Sequence, residues 1–79
     1  MKAITADDVL TTLTSCAGEP ERIPGSSELD DATFVDLGYD SLALIAAATG
    51  LEQQFGVRIP DGEVCGMTTI GQLVARANA

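Results

Sequence analysis

The chain has 79 residues, with twelve acidic side chains against four basic ones, a formal charge of −8 and no histidine. A chain of this length is expected to form a single domain, over residues 1–79, with a modest core. Its negative charge argues against nucleic acid and anionic membranes as partners, and no apolar run approaches the ~18 residues of a membrane span. Residues 1–5 lack the apolar region of a secretory signal.

The first helix is predicted to begin after Thr5, whose hydroxyl can cap free amides while Asp8 completes a capping box. Gly18 is expected to end it, with Pro20 just beyond. The spacing of an amphipathic helix then predicts a core-facing stripe, which consists of Ala6, Val9, Leu10, Leu13, Cys16 and Ala17.

Residues 18–40 are predicted to form a long connection, because prolines and glycines interrupt regular structure there. A loop of this length is uncommon in a compact domain and needs its own anchors. A short helical turn is expected at residues 30–34. The apolar residues expected to hold the loop on the helices are Ile23, Leu29, Phe34 and Leu37.

The second helix is predicted from about Asp40, as N-cap, to Phe55, with Gly56 ending it. Ser41 then lies in the first turn, at an exposed helix start. The predicted core face consists of Leu44, Ala47, Ala48, Leu51 and Phe55, and the less covered side of Leu42, Ile45, Ala46 and Thr49. The small residues of this helix, Ala46, Ala47, Ala48 and Gly50, either give an apolar cargo a place to shelter or permit close helix packing.

The last third of the chain predicts two further helices. Val57 and Ile59 are expected to turn inward, and Asp61 to cap a short helix that runs through Cys65. Thr69 and Gln72 form a second capping-box pattern. The core face of the last helix is predicted to be Ile70, Leu73, Val74 and Ala77. The fold class is therefore all-α, a four-helix bundle with a long loop between helices one and two and a short third helix.

Ser41 is the candidate functional residue. A nucleophilic serine needs a base to take its proton, normally a histidine, and this chain has none. Ser41 is therefore expected to receive a group rather than to act as a self-contained catalyst. A helix start offers free amides that suit a phosphodiester, while Gly38 permits a tight approach of the chain and Asp40 caps the helix. For an isolated Asp-Ser pair, an ordinary helix cap is the alternative.

The segment Gly38-Tyr39-Asp40-Ser41-Leu42 resembles the attachment site of the acyl carrier proteins, and with Ala43 and Leu44 it looks most like carriers of type II aromatic polyketide synthases. Residues 51–61 and 68–74 are similar to the exit of that family's second helix and the start of its last. The resemblance implies that Ser41 carries a 4'-phosphopantetheine arm, which a magnesium-requiring transferase adds from coenzyme A, with Gly38, Asp40 and Leu42 as flanking motif. The arm would hold malonyl units and the growing polyketide as thioesters.

The same resemblance implies a non-enzymatic, monomeric cytoplasmic carrier. Its partners would be a phosphopantetheinyl transferase, a ketosynthase with its chain-length factor, a malonyl transferase, a ketoreductase and cyclases. The family's second helix is acidic, whereas residues 44–50 here contain no acid. The docking surface is therefore expected to rely on Leu42, Ile45 and Thr49, with Asp40, Glu52 and Glu63 around them.

Other readings of the sequence stay open at this point. The carrier could serve fatty acids or peptidyl and aminoacyl groups, and a small acidic interaction module without a prosthetic group is the alternative from another class. No metal site is predicted, because the aspartates lack EF-hand spacing. Arg58 and Arg76 are expected to be local charge partners. Cys16 and Cys65 are expected to be free thiols, with a single disulfide between them as the alternative.

Overall fold

The structure, a computed structural model, describes residues 3–25 and 27–79, so that Met1, Lys2 and Ser26 lie outside the described residues. Four helices form in this part of the chain: α1 Ala6–Ala17, α2 Ser41–Phe55, α3 Asp61–Val64 and α4 Ile70–Ala77. Helix α1 packs against α2 and α4, and α3 packs against α2. The described residues contain no strand, only an isolated bridge between Thr33 and Thr69. The predicted all-α architecture with a short third helix is confirmed.

Local signals in the sequence set most of the helix ends. The hydroxyl of Thr5 accepts a hydrogen bond from the amide of Asp8, whose carboxylate accepts from the amide of Thr5 at 3.0 Å. Thr69 and Gln72 form the second predicted capping box at the start of α4. Glycines end the two long helices, Gly18 with φ 93° and Gly56 with φ 75°. A residue with a side chain would be strained at these positive φ values.

The predicted cap at Asp61 is wrong. Pro60 occupies the N-cap position, with φ −62° and ψ 144°, and no side chain caps this helix. Asp61 instead lies within the first turn of α3, where its charge suits the positive end of the helix dipole. The helix also ends one residue earlier than predicted, at Val64, and Cys65 is its C-cap.

The core is formed by one face of each long helix together with the loop. Most of the predicted α2 face is confirmed, since Leu44, Ala47, Ala48 and Leu51 are buried, although Phe55 is only half-buried. The stripe of α1 is correct at its centre, Val9 and Leu13, but Thr12 is buried whereas Cys16 and Ala17 are exposed. Thr12 is buried because Gly50 of α2 lets α1 approach so closely that a Cβ at position 50 would lie 2.7 Å from Cγ2 of Thr12.

The long loop is attached to the helices by buried side chains and by backbone hydrogen bonds. Leu29, Phe34 and Leu37 are buried as predicted, but Ile23 is 82% exposed and Pro24 is buried in its place. No helix forms over residues 30–34, and the hydrogen-bonded turn lies slightly earlier, since the amides of Asp31 and Ala32 donate to the carbonyls of Glu28 and Leu29 at 3.1 and 3.3 Å. Instead, residues 30–34 lie alongside residues 68–71, a pairing that we call the clamp. Its hydrogen bonds run from the amide of Phe34 to the Thr68 carbonyl, from Ile70 to Ala32 and from Gly71 to Asp30, at 3.0, 3.1 and 2.9 Å.

The ends of the fold meet at the far end of α2 from Ser41. The side-chain amide of Asn78 donates to the carbonyl of Ile4 at 2.8 Å, and its oxygen accepts from the Ile4 amide at 2.9 Å. Both residues line an open cavity together with Phe55, the last residue of α2. Within the described residues, no helix combines the length and apolarity that crossing a bilayer requires.

Candidate functional site

Ser41 is the first residue of α2 and is exposed. Asp40 precedes it as N-cap, and its carboxylate accepts a hydrogen bond from the amide of Ala43 at 3.0 Å. Among the described residues, the amides of Ser41 and Leu42 have no acceptor. The site therefore presents one hydroxyl beside two free amides at the positive end of a helix dipole, an arrangement that suits a covalently held phosphate.

Gly38 shapes the approach of the chain to Ser41. Its φ is 85°, and a Cβ would lie 2.7 Å from side-chain atoms of Glu21. The segment is further fixed because the amide of Glu21 donates to the carbonyl of Leu37 at 2.9 Å. The positive φ thus favours glycine here, as expected for a tight turn before the helix, whereas the exposed side chain of Glu21 could move aside for a Cβ.

Tyr39 joins the serine segment to the end of α1. Its side chain is 7% exposed, and its hydroxyl donates to the carbonyl of Gly18 at 2.9 Å. Burial raises the pKa of the Tyr39 phenol, the nearby Thr14 hydroxyl opposes this shift, and the Glu19 carboxylate adds to it. Sequence reasoning identified Tyr39 only as part of a motif. A single tyrosine in a polar segment was the available signal, but its partner lies 21 residues away.

An open cavity of about 310 Å³ lies beside Ser41, between the start of α2, the loop and the segment that follows α3. The contributions of Cys65 and Met67 to this cavity were missed, because only the tertiary fold brings them beside the serine. Both cysteines are free thiols, as predicted, and both are exposed. The lining residues are Phe34, Val35, Tyr39, Asp40, Ser41, Leu44, Cys65, Gly66, Met67 and Thr68.

The six predicted docking residues differ in how much they present to a partner. Leu42 is 74% exposed, Thr49 and Glu52 are also exposed, and Ile45 is half-buried. Asp40 serves as the helix cap. The carboxylate of Glu63 pairs with the guanidinium of Arg76 at 2.8 Å, so its charge is compensated.

Arg76 is therefore a local charge partner, as predicted. Arg58, by contrast, contributes its carbonyl oxygen, which accepts from Arg76. The docking set as a whole stays a prediction. The described residues contain no group of three or more side chains that could hold a metal ion.

Comparison with known proteins gives the family. Residues 7–77 match the family model described as the phosphopantetheine attachment site. The granaticin polyketide synthase acyl carrier protein of Streptomyces violaceoruber is 42% identical over 64 residues, which cover 81% of this chain and 75% of the relative. The oxytetracycline polyketide synthase acyl carrier protein of Streptomyces rimosus is 40% identical over 79 residues, covering 100% and 83%. An acyl carrier protein of Acidothermus cellulolyticus is 37% identical over 73 residues, covering 91% and 87%.

The solved structure of the actinorhodin holo acyl carrier protein from Streptomyces coelicolor has a TM-score of 0.82 at 38% identity, covering 98% of this chain and 90% of that one. The chain therefore belongs to the phosphopantetheine-attachment family, among the acyl carrier proteins of type II polyketide synthases. As a member of this family, the chain carries a covalently attached 4'-phosphopantetheine and tethers acyl groups as thioesters.

Proposed function

We propose that Ser41 carries the 4'-phosphopantetheine arm and that this protein holds malonyl units and a growing polyketide on it as thioesters. The observation that supports this most directly is the position of Ser41: exposed, first in α2 and beside an open cavity. It lies within the residues that match the attachment-site family. The polyketide cargo is inferred from the names of the relatives.

The residues present fit a phosphopantetheine group. The Ser41 hydroxyl gives up its proton and takes the phosphopantetheinyl group from coenzyme A, whose pyrophosphate bond breaks so that 3',5'-adenosine bisphosphate leaves. The transferase supplies the base because this chain has no histidine. The free amides of Ser41 and Leu42 then stabilise the charge of the phosphodiester. Asp40 keeps the first turn closed through the Ala43 amide. When bound, the arm supplies the thiol on which acyl groups are carried.

The wider assignment belongs to the same proposal. We infer a non-enzymatic carrier that forms a single domain over residues 1–79 and works as a monomer in the cytoplasm. A phosphopantetheinyl transferase modifies it. Its further partners are the enzymes of a polyketide synthase: the ketosynthase with its chain-length factor, a malonyl transferase, a ketoreductase and cyclases.

The test is incubation with coenzyme A, magnesium and a phosphopantetheinyl transferase of broad specificity, followed by intact-mass analysis. The chain should gain the mass of one phosphopantetheinyl group, and Ser41→Ala should abolish the gain while circular dichroism shows an unchanged helical fold. The other serines, Ser15, Ser26 and Ser27, serve as internal controls. A gain of mass by the Ser41→Ala variant would overturn the assignment, and so would failure of the folded wild-type chain to be modified.

A carrier of fatty acids is the second candidate. The Acidothermus cellulolyticus relative, named simply as an acyl carrier protein, favours it. Malonyl-loaded protein separates the two: a type II polyketide ketosynthase with its chain-length factor should extend chains on it more efficiently than a fatty-acid ketosynthase does. The opposite order of efficiencies would favour the second candidate.

A further inference from the structure

The acidic residues of this chain are concentrated in the loop before Ser41 rather than along α2. Residues 18–40 contain seven of the twelve acids and a single basic residue, Arg22, whereas α2 contains one acid, Glu52. Glu52 lies eleven residues after Ser41, which is about 16 Å along the helix. The loop therefore carries more of the chain's negative charge than α2 does. Its seven acids are Glu19, Glu21, Glu28, Asp30, Asp31, Asp36 and Asp40.

Part of this loop forms a continuous surface that reaches the serine. Glu28, Asp31 and Asp36 line one open depression of about 210 Å³, together with Arg22. Val35, the neighbour of Asp36 in the chain, lines the cavity beside Ser41. We call the surface of Glu28, Asp31, Val35 and Asp36 the loop face. It runs from the serine across one apolar side chain to a group of carboxylates.

The loop face combines an apolar centre with a charged rim. Val35 is 80% exposed, and Leu42, directly after the serine, is 74% exposed. Exposed apolar side chains beside a functional residue can supply the apolar centre of a contact, and an apolar centre with a polar rim is the usual anatomy of a protein interface. None of the three carboxylates of the loop face forms an ion pair among the described residues, and with Arg22 as the one cation beside them they leave the rim net negative, which favours encounter with a basic surface.

The turn that presents Val35 and Asp36 is held by hydrogen bonds. The amide of Leu37 donates to the carbonyl of Thr33 at 3.2 Å, and the amide of Asp36 donates to the Thr33 hydroxyl at 3.1 Å. The amide of Phe34 donates in the clamp, and the carbonyl of Phe34 accepts from the backbone amide of Tyr39 at 2.9 Å. A partner that binds here therefore does not have to order the loop, which lowers the entropic cost of binding.

We propose that the phosphopantetheinyl transferase docks on the loop face rather than along the outer side of α2. The partner surface that fits is basic, with Lys or Arg side chains against Asp31 and Asp36 and an apolar recess for Val35. This inference rests on the proposed attachment of the arm to Ser41. It moves the main docking contacts away from Ile45, Thr49 and Glu52, and away from Glu63, whose charge Arg76 already compensates.

The test is the steady-state kinetics of Ser41 modification, with the transferase, coenzyme A and magnesium, followed by intact mass. The pair Asp31→Asn and Asp36→Asn should lower kcat/KM by roughly fivefold or more, through KM with kcat unchanged, because rim charges act mainly on encounter. The same pair should also weaken the rise of KM with added sodium chloride. The matched control, Asp7→Asn with Asp61→Asn, changes the net charge equally and should leave KM near the wild-type value.

A second comparison tests the apolar centre. Val35→Ser should raise KM, whereas Ile23→Ser should not, although Ile23 is equally exposed and lies on the same loop. Neither change should shift the melting temperature, since both side chains face solvent. The inference is overturned if Glu52→Gln raises KM more than the loop pair does, or if the loop pair and its control behave alike. Absence of any mass gain in the wild-type chain would instead refute the attachment at Ser41.

Discussion

Ser41 combines an accessible hydroxyl with a buried residue two positions away on either side. Tyr39 and Ala43 are each 7% exposed, and the Asp40 carboxylate between them is held by the Ala43 amide. The backbone that carries the serine is thus fixed from the loop side and from the helix side. This arrangement suits a residue that separate enzymes must find in one place, because less ordering is required when each of them binds.

Tyr39 should titrate above the ordinary tyrosine pKa of about 10. Burial is the main cause, and the Glu19 carboxylate adds to it. Since the chain has one tyrosine and no tryptophan, tyrosinate absorbance against pH reports this residue alone. Because the folded pKa is raised, the stability it contributes is fully present below the unfolded pKa and is lost as pH rises through the folded value. The unfolded chain in guanidinium should titrate normally, and a folded pKa at or below that control would contradict the prediction.

Two leucines of α2 should respond differently to truncation. Leu51 is 0% exposed, whereas Leu42 is 74% exposed. Leu51→Ala should therefore lower the free energy of unfolding by about 2–5 kcal/mol, measured by chemical denaturation. Leu42→Ala should cost much less stability but slow the modification of Ser41 or later acyl transfer. Equal destabilisation by the two changes would contradict this assignment of the faces.

The small residues of α2 serve close helix packing in this structure. Ala47, Ala48 and Gly50 are buried, and at Gly50 a Cβ would come within 2.7 Å of the Thr12 methyl group and 3.2 Å of Cys16 Sγ. The open space beside Ser41 is lined by other residues, from the loop and the segment after α3. The small residues could either shelter an apolar cargo or permit close helix packing, and the contacts of Gly50 support close packing.

Gly50→Ala should destabilise the protein although alanine is the better helix former by roughly 1 kcal/mol. The new methyl group would overpack the contact with Thr12, at a cost of about 1–3 kcal/mol. Thr12 cannot easily give way, since its hydroxyl donates to the Asp8 carbonyl at 2.8 Å and its side chain is buried. Denaturant unfolding of the single variants and the double variant measures the coupling between the two positions.

Thr12→Ser removes the methyl group that the new Cβ would meet, so the double variant should be more stable than the sum of the two single changes predicts. The control is Gly62→Ala in α3, where no atom lies within 4 Å of the added Cβ. It should leave stability unchanged or raise it by up to about 1 kcal/mol, the gain in helix propensity. The expectation is contradicted if the effects of the two single changes on unfolding free energy simply add, or if Gly50→Ala stabilises the protein. Either result would show that α1 can move away from α2 to make room for the added methyl group.

Helix ends could be predicted well because their signals are local. Thr5 with Asp8, Thr69 with Gln72, and Gly18 and Gly56 each act within a turn of their own position. The loop was harder, because its anchors depend on contacts with the last third of the chain. Nothing in the residues near Ile23 indicates that Pro24 is buried in its place, and Asp61 was misplaced by one residue, because either it or Pro60 could have stood at the cap.

The same distinction between local signals and distant contacts applies to the functional site. The position of Ser41 at an exposed helix start follows from Asp40 as an N-cap and from the apolar periodicity of α2. The cavity beside it could not be predicted, because Cys65 and Met67 reach it only after α3 has packed on α2. The role of Tyr39 likewise depends on the end of α1, which no pattern around the serine reveals.

At the scale of the whole molecule, the charge of −8 is poorly compensated. Within the described ranges the ion pair present is that of Arg76 with Glu63, and both side chains are partly exposed, where such pairs contribute little. Salt should therefore stabilise the fold by screening self-repulsion, with most of the effect reached near 0.1 M, where the Debye length is about 10 Å. Melting temperatures at low and moderate sodium chloride concentration check this. A melting temperature that falls on adding salt would mean that ion pairs dominate.

The pairing of Asn78 with Ile4 has a practical consequence for how this carrier can be handled. Both residues lie at the end of α2 that is remote from Ser41, and a helix of 15 residues separates the two ends by about 22 Å. A linker, an affinity tag or a solid support joined to either end of the fold would therefore leave from the pole opposite the serine. The hydroxyl of Ser41, and whatever is attached to it, would stay open to enzymes in solution while the protein itself is held in place.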